Sequence, residues 1–275
     1  MSAQPPPSVR DPWSGGAVTA RATCVLAPNP GPMTLDGTNT WVLLEPGATD
    51  AVVIDPGPLD DDHLQRVCRV VADRGARVTD TILTHGHHDH AEAAPRFAEL
   101  TGSRVRAVGR GHDDLRDGDT ITTGGLDLRV VATPGHTGDS MSFVLGADHA
   151  LLTGDTVLGR GTTVVAHPDG ELAAYLESLE RITALTGNGS VTTILPGHGP
   201  TVPDAGAMVA YYRTHRAERL EQVRQALADG AALDSDPVDG VLERVYADVP
   251  REVWPAARMS IRAQLTYLGV SGRGA

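Results

Sequence analysis

The sequence predicts an α/β fold followed by a smaller, mainly helical C-terminal part. Up to residue 203, short apolar runs alternate with helical patterns, and beyond it only helical patterns remain. This change divides the chain into a tail (1–16), an α/β domain (17–203) and a helical, winged-helix-like domain (204–275). The tail is predicted to be loose because it is proline-rich and has no apolar run.

The elements of the α/β domain follow from apolar spacing and turn signals. Leu64, Val67, Cys68 and Val71 recur at helical spacing and predict an amphipathic helix over 60–74. Further helices are predicted at 91–101 and 172–182 and, beyond the boundary, at 205–228, 237–247 and 251–268. Strands are predicted at 18–27, 40–44, 51–54, 81–84, 104–108, 126–132, 142–145, 150–153 and 192–195.

Composition excludes several classes of protein. No run approaches the ~18 apolar residues of a membrane helix, and the first residues lack the apolar core of a signal peptide. Cys24 and Cys68 are the only cysteines, so we expect reduced thiols in a cytoplasmic protein without a membrane partner. All 23 basic residues are Arg, which excludes Schiff-base lysine chemistry and a Walker-A loop. The net charge of −12 disfavours a nucleic-acid partner, double-stranded DNA above all, and an oligomer stays possible.

A dense group of potential metal ligands follows the strand predicted at 81–84. His85, His87, Asp89 and His90 fit the pattern H-x-H-x-D-H. Residues two apart on extended backbone point to the same side, and the last two come where a helix begins. Imidazole and carboxylate are ligands of Zn²⁺, so the segment predicts a metal site rather than an exposed polar loop.

Three later segments repeat the order of strand, tight turn and potential ligand. They place His136, Asp155 and His198 after the strands at 126–132, 150–153 and 192–195. Strand ends are where α/β folds assemble sites. Seven ligands suit a pair of ions that share one carboxylate. We assign His85, His87 and His136 to the first ion, Asp89, His90 and His198 to the second, and Asp155 to both.

At this point the chain resembles the metallo-β-lactamase superfamily. The matching motifs are THGHHDH, TPGHTGDS, LLTGDT and LPGHG, in the family's order over residues 84–199. The resemblance implies an αββα sandwich of two mixed sheets with helices outside. Residues 29–40, 158–164 and 212–216 look like the β-lactamase-like protein 2 group, which includes a metal-dependent endoribonuclease acting on single-stranded RNA. Related sequences with the same GTNT segment hydrolyse thioesters on carrier proteins.

The chemistry that follows is hydrolysis at a pair of Zn²⁺ ions, or of Mn²⁺ or Fe ions, which tolerate the same ligands. Asp89 and Asp155 are the predicted catalytic carboxylates, and Asp89 is also a candidate acceptor of the nucleophile's proton. The leading hypothesis is an endoribonuclease on single-stranded RNA, and the alternative is a thioester hydrolase of acyl-carrier or glyoxalase II type. A β-lactamase is disfavoured because well-known two-zinc lactamases have Cys where this chain has Asp155. A non-catalytic metal-binding module is disfavoured because no ligand is missing.

Other polar residues have two interpretations each. Asp55 ends a strand in an IDPG turn and either shapes that turn or hydrogen-bonds a ligand histidine. The segment 38–40 either positions substrate or forms a strand-edge turn. His88 is predicted to be solvent-facing or to support a ligand, and His63, His112, His149 and His167 to be surface residues. The cluster of Arg213, His215, Arg216 and Arg219 is either a solvated helix face or a clamp for a substrate anion.

Overall fold

Two β-sheets stack face to face, and helices cover both outer faces. The computed structural model describes residues 12–109, 111, 115–230, 236–247 and 249–270. The six-stranded sheet has the order β1-β2-β3-β4-β5-β6 and the five-stranded sheet the order β11-β10-β9-β8-β7. The strands are β1 (Gly16–Ala17), β2 (Ala22–Leu26), β3 (Asn39–Leu43), β4 (Asp50–Ile54), β5 (Arg77–Ile82), β6 (Arg104–Arg106), β7 (Thr120–Thr123), β8 (Leu126–Ala132), β9 (Met141–Leu145), β10 (Ala150–Gly154) and β11 (Thr193–Pro196). The helices are α1 (Asp61–Ala72), α2 (His88–Ala91), α3 (Ala94–Thr101), α4 (Leu172–Gly187), α5 (Ala205–Ala228), α6 (Pro237–Val245) and α7 (Trp254–Tyr267).

Strand direction brings the ends of several strands to one edge. In the first sheet β4, β5 and β6 are parallel. In the second sheet β8 and β10 both run antiparallel to β9, and β11 is parallel to β10. The carboxyl ends of β8, β10 and β11 therefore lie at the same edge of their sheet, as those of β4 and β5 do in the first sheet.

Three apolar layers hold the sheets and helices together. Trp41, Leu128 and Phe143 belong to the layer between the two sheets. A second layer joins α1 and α3 to the outer face of the first sheet. A third joins α4 and the first half of α5 to the outer face of the second sheet. This arrangement confirms the predicted αββα sandwich of two mixed sheets.

The helical part after residue 203 shares its first helix with the sandwich. The N-terminal half of α5, including Tyr212, packs in the layer under the second sheet, whereas Val223 and Ala226 pack with α6 and α7 in a separate small core. In the described part of 204–275, a 3-10 turn at Arg251–Val253 directly precedes α7 and no strand occurs. One helix of 24 residues therefore links the two cores.

Some elements differ from the sequence prediction. The strand predicted at 18–27 begins at Ala22, and the mainly polar β7 carries too little apolar signal to be predicted. Of the predicted tail 1–16, residues 1–11 lie outside the described residues. The indole N–H of Trp13 donates to Asn39 Oδ1 at 2.8 Å, and Gly16 pairs with Cys24. Residues 13–16 therefore pack against the first sheet.

A candidate dinuclear metal centre

The fold brings the seven predicted ligands together at the edge where the strands end. His85, His87, Asp89 and His90 follow β5, and the last two lie in the short helix α2. His136, Asp155 and His198 follow β8, β10 and β11.

The first cluster consists of three imidazoles. The Nδ1 atom of His87 lies 3.0 Å from Nε2 of His85 and 3.0 Å from Nε2 of His136. His85 and His136 are buried, and His87 is half-buried. The three nitrogen atoms therefore converge on one point from three different directions.

The second cluster combines two imidazoles with a carboxylate. The Nε2 atoms of His90 and His198 lie 3.2 Å apart. Oδ2 of Asp89 lies 3.1 Å from Nε2 of His198 and 3.5 Å from Nε2 of His90. Both histidines are buried, whereas the Asp89 side chain is 29% exposed.

Asp155 lies between the two clusters. Its Oδ1 is 3.4 Å from Nε2 of His90, and its Oδ2 is 3.4 Å from Nε2 of His198 and 3.7 Å from Nε2 of His136. A Cβ atom at position 197 would lie 2.5 Å from Oδ1 of Asp155, so only glycine leaves room for this approach. One carboxylate therefore contacts ligand atoms of both clusters.

The outer nitrogen of four histidines is held by a hydrogen-bond acceptor. Nδ1 of His90 lies 2.8 Å from Oδ2 of Asp55, and Nδ1 of His85 lies 3.0 Å from Oγ of Thr84, whose hydroxyl itself donates to Asp55. Main-chain carbonyls accept from the other two, namely Val164 for His136 at 2.6 Å and Gly37 for His198 at 3.1 Å. A ring that donates through Nδ1–H carries a lone pair on Nε2. The anchors thus turn four lone pairs inward.

These lone pairs face one another at close range, an arrangement that favours a cation between them. Ligand atoms around a tetrahedral Zn²⁺ lie about 3.3–3.6 Å apart, because each is about 2.0–2.2 Å from the metal. The distances within both clusters are close to this spacing. Among the described residues, the buried Oδ1 of Asp155 has no hydrogen-bond partner. The donor set and this orphaned oxygen fit a pair of metal ions.

The electrostatics of the clusters point the same way. Burial opposes a charge on His198, but Asp155 and Asp89 outweigh it and raise its pKa to about 9. Burial also opposes the Asp89 carboxylate, but His90 and His198 outweigh it and lower its pKa to about 2. In the first cluster burial dominates, and together with the charge of His90 it lowers the pKa of His85 well below its usual value. The carboxylates therefore stabilise positive charge on the neighbouring histidines, and protons provide this charge when no metal is bound.

For Asp55 and for the segment 38–40, the structure shows what each contributes beside the centre. Asp55 accepts hydrogen bonds from the main-chain N–H and the hydroxyl of Thr84 as well as facing His90, so it supports ligands rather than only shaping a turn. Asn39 donates to the carbonyls of Pro196 and Gly199, both at 2.9 Å, and holds the turn that carries His198. The segment 38–40 therefore positions a ligand loop from beneath.

The other histidines differ in their surroundings. His88 and His149 are exposed, His167 is half-buried, and His112 lies outside the described residues. The prediction that His63 is a surface residue is wrong, because its ring is fully buried and lies 2.9 Å from Oγ of Thr40. Burial and the nearby Arg66 lower its pKa to about 4, so the ring is neutral at pH 7.

The cluster of cationic residues on α5 splits into two parts. Arg213 is exposed and pairs with Glu180 of α4 at 2.7 Å. His215, Arg216 and Arg219 instead line a cavity that also reaches His136 and Asp155. Arg216 donates to the main-chain carbonyl of Thr163. Helical spacing could have indicated this split, because residues 212, 216 and 219 share one face and 213 does not.

With the fold and the geometry established, comparison with known proteins defines the class. The family model described as the metallo-beta-lactamase superfamily matches residues 33–117 and 108–198. The chain belongs to this superfamily, whose members are generally metal-dependent hydrolases.

Individual relatives show which members of the superfamily this chain is similar to. The chain is 34% identical over 248 residues to an atrochrysone carboxyl ACP thioesterase of Aspergillus chevalieri, covering 86% of this chain and 76% of the relative. It is 32% identical over 262 residues to a beta-lactamase-like protein 2 homolog of Caenorhabditis elegans, covering 91% and 84%. A metallo-beta-lactamase family protein of Thermus thermophilus has the same fold, with a TM-score of 0.73 at 21% identity over 94% of this chain and 97% of that one. The predicted resemblance to the β-lactamase-like protein 2 group is confirmed, because relatives of that name match most of the chain.

In the part of the chain that the structure describes, no helix has the length and apolarity to cross a bilayer.

Proposed function

We propose that this chain is a dinuclear-metal hydrolase that cleaves an acyl thioester. The observation that carries the proposal is the cavity beside the candidate metal centre. It has a volume of about 280 Å³, and His136 and Asp155 form part of its wall. Much of the remaining wall is apolar and includes Met33, Leu158 and Val253. A pocket of this kind suits an apolar acyl group whose reacting carbonyl lies at the ligand cluster.

His85, His87 and His136 would hold one ion, and Asp89, His90 and His198 the other, with Asp155 contacting both. Such ions, when bound, generate a hydroxide nucleophile near neutral pH and stabilise negative charge on a carbonyl oxygen. Zn²⁺ is our first choice of metal, with Mn²⁺ and Fe as the other candidates.

The protein's own residues supply orientation and a proton acceptor. The side chain of Asp89 is 29% exposed, against 11% for Asp155 and 2% for Asp55. Asp89 is therefore the carboxylate of this group that reaches the solvent side, and we assign it the role of accepting the nucleophile's proton. Asp55 holds His90 in place, and Asp155 would be a ligand of both ions.

The cavity favours a thioester over RNA and so reverses the order of the two hypotheses in the sequence analysis. Proteins that bind single-stranded RNA combine an open cationic groove with several aromatic rings on which bases stack. Among the described residues that line this cavity, Tyr246 is the only Tyr, Trp or Phe, and its ring is already covered by the guanidinium of Arg219 at 4.4 Å. One relative carries the name thioesterase, which supports the same choice.

The test is a side-by-side assay of butyryl-N-acetylcysteamine and a single-stranded RNA oligomer with protein loaded with Zn²⁺, Mn²⁺ or Fe²⁺. We expect hydrolysis of the thioester, and its loss in His85→Ala. Met33 is 47% exposed on the cavity wall, so Met33→Glu should lower kcat/KM for the apolar thioester without unfolding the protein. Leu59→Glu is the control, because Leu59 is 59% exposed and does not line the cavity. Cleavage of RNA alone would establish the endoribonuclease alternative instead.

A further inference from the structure

Helix α5 forms one wall of the cavity beside the candidate metal centre. This wall contains a buried guanidinium, and no carboxylate of the described residues is paired with it. Arg216 is 6% exposed. Its Nη2 donates to the carbonyl of Thr163, and its Cζ lies 4.9 Å from the ring centre of Tyr175. Among the described residues, its Nε has no hydrogen-bond partner and no carboxylate pairs with it. A buried charge with such partners is costly unless a ligand compensates it.

Two neighbours on the same helix extend this wall. Arg219 donates from Nη1 to the carbonyl of Val245 at 2.6 Å and stacks on Tyr246, and within the described part of the chain it too has no carboxylate partner. The Nδ1 atom of His215 is buried and has no hydrogen-bond partner among the described residues. Burial and the two arginines lower the pKa of His215 to about 4, so it is neutral at pH 7.

The charges around the cavity do not balance. The third arginine of the wall, Arg160, is paired with Asp36 at 2.5 Å. Asp155 is the only carboxylate among the described residues lining the cavity, and it faces the ligand histidines instead. Arg216 and Arg219 therefore leave an excess of positive charge next to a mainly apolar pocket.

We propose that Arg216, Arg219 and His215 bind an anionic group of the substrate, a carboxylate or a phosphate carried near the thioester. Guanidinium forks match the oxygen atoms of either group, and the neutral imidazole supplies one further hydrogen bond. This inference rests on the proposed thioester hydrolysis and specifies its substrate. A cavity of about 280 Å³ with one such wall accepts one anionic group rather than a phosphate chain.

The experiment compares matched substrates that differ in a single charge. Glutaryl- and monomethylglutaryl-N-acetylcysteamine differ by a carboxylate on the acyl side, and the butyryl thioesters of 2-mercaptoethyl phosphate and 2-methoxyethanethiol differ by a phosphate on the leaving group. We expect the charged member of one pair to have a kcat/KM higher by about tenfold or more, as expected for a charge-assisted hydrogen bond. The pair whose two members differ in kcat/KM shows whether the anion is on the acyl group or on the leaving group.

Variants test whether α5 causes this preference. Arg219→Gln should remove most of it through KM, and Arg216→Gln should do the same if circular dichroism shows that it folds, whereas Arg219→Lys should retain part of it. Arg213→Gln is the matched control, because Arg213 lies on the same helix and points to Glu180. Equal kcat/KM within both pairs, or a preference that survives in Arg219→Gln and Arg216→Gln, would overturn the inference.

A binding measurement keeps the inference separate from the proposed function. Glutarate, its uncharged dimethyl ester and inorganic phosphate are titrated into the metal-loaded protein by calorimetry. Binding of one anion that weakens about tenfold in Arg219→Gln but not in Arg213→Gln supports the anion site even if no thioester is hydrolysed. Absence of binding by both anions, or binding unaffected by Arg219→Gln, contradicts it.

Discussion

The two ligand clusters are supported by different parts of the molecule. In the second cluster, His90 is held by Asp55 at the end of β4, and three carboxylates, Asp55, Asp89 and Asp155, lie around it. In the first cluster, His136 is held by the main-chain carbonyl of Val164. His90 of the second cluster thus depends on the first sheet, whereas His136 of the first cluster depends on a loop.

That loop depends in turn on helix α5. The carbonyl of Thr163 accepts a hydrogen bond from Arg216, and the hydroxyl of Tyr212 accepts one from the N–H of Leu158 at 2.8 Å. Both side chains belong to α5. The helical part therefore supports the loop that holds His136 as well as lining the cavity, and the two clusters should respond differently to mutation.

The largest effect should come from the residue that the clusters share. Asp155→Ala removes a carboxylate that contacts ligand atoms on both sides, so we expect both ions to bind more weakly and activity to fall by about 10³-fold or more. Metal content by mass spectrometry and thioester hydrolysis measure this. Asp127→Asn is the control, because Asp127 is exposed on β8. Retention of the full metal content by Asp155→Ala would show that the clusters do not share this ligand.

The next prediction distinguishes the two clusters by the metal content of single variants. His87→Ala and Asp89→Ala should each bind about one ion. Each cluster has three ligands in addition to the shared Asp155, and each substitution removes one of these three from one cluster only. The ion that remains in His87→Ala should resist dialysis against a chelator that strips Asp89→Ala, because the second cluster is surrounded by more negative charge. The reverse order of release would contradict the electrostatic difference between the clusters.

These ligands could be predicted from the sequence because each follows a strand within a short motif. Their supports could not all be predicted. The anchor of His136 is a carbonyl, and main-chain groups have no sequence signature. The burial of His63 arises because the fold places its ring against Thr40, which comes from a separate segment, β3. Polar strand β7 has only one buried residue, so its apolar pattern is too weak to detect.

A smaller effect is expected from the support under the second cluster. Asp55→Asn keeps an acceptor for Thr84 but removes the charge that faces His90, so metal affinity and activity should fall about 10- to 100-fold. Because Thr84 also holds His85, the loss should extend in part to the first cluster. Asp50→Asn, at the opposite end of β4, pairs with Arg77 and should leave metal binding unchanged. Equal affinity in Asp55→Asn and wild type would mean that the anchor is dispensable.

The smallest effect should be seen at the support under the first cluster. Tyr212→Phe leaves the N–H of Leu158 without its acceptor, which should lower the free energy of unfolding by about 1–2 kcal/mol in a urea titration. Because Leu158 lies in the loop that ends at Val164, chelator release should become faster for the first ion and stay unchanged for the second. Tyr211→Phe is the matched control on the same helix, since Tyr211 is only half-buried. If Tyr212→Phe weakens both ions equally, α5 supports the centre as a whole, and the division of the two clusters between sheet and helix is wrong.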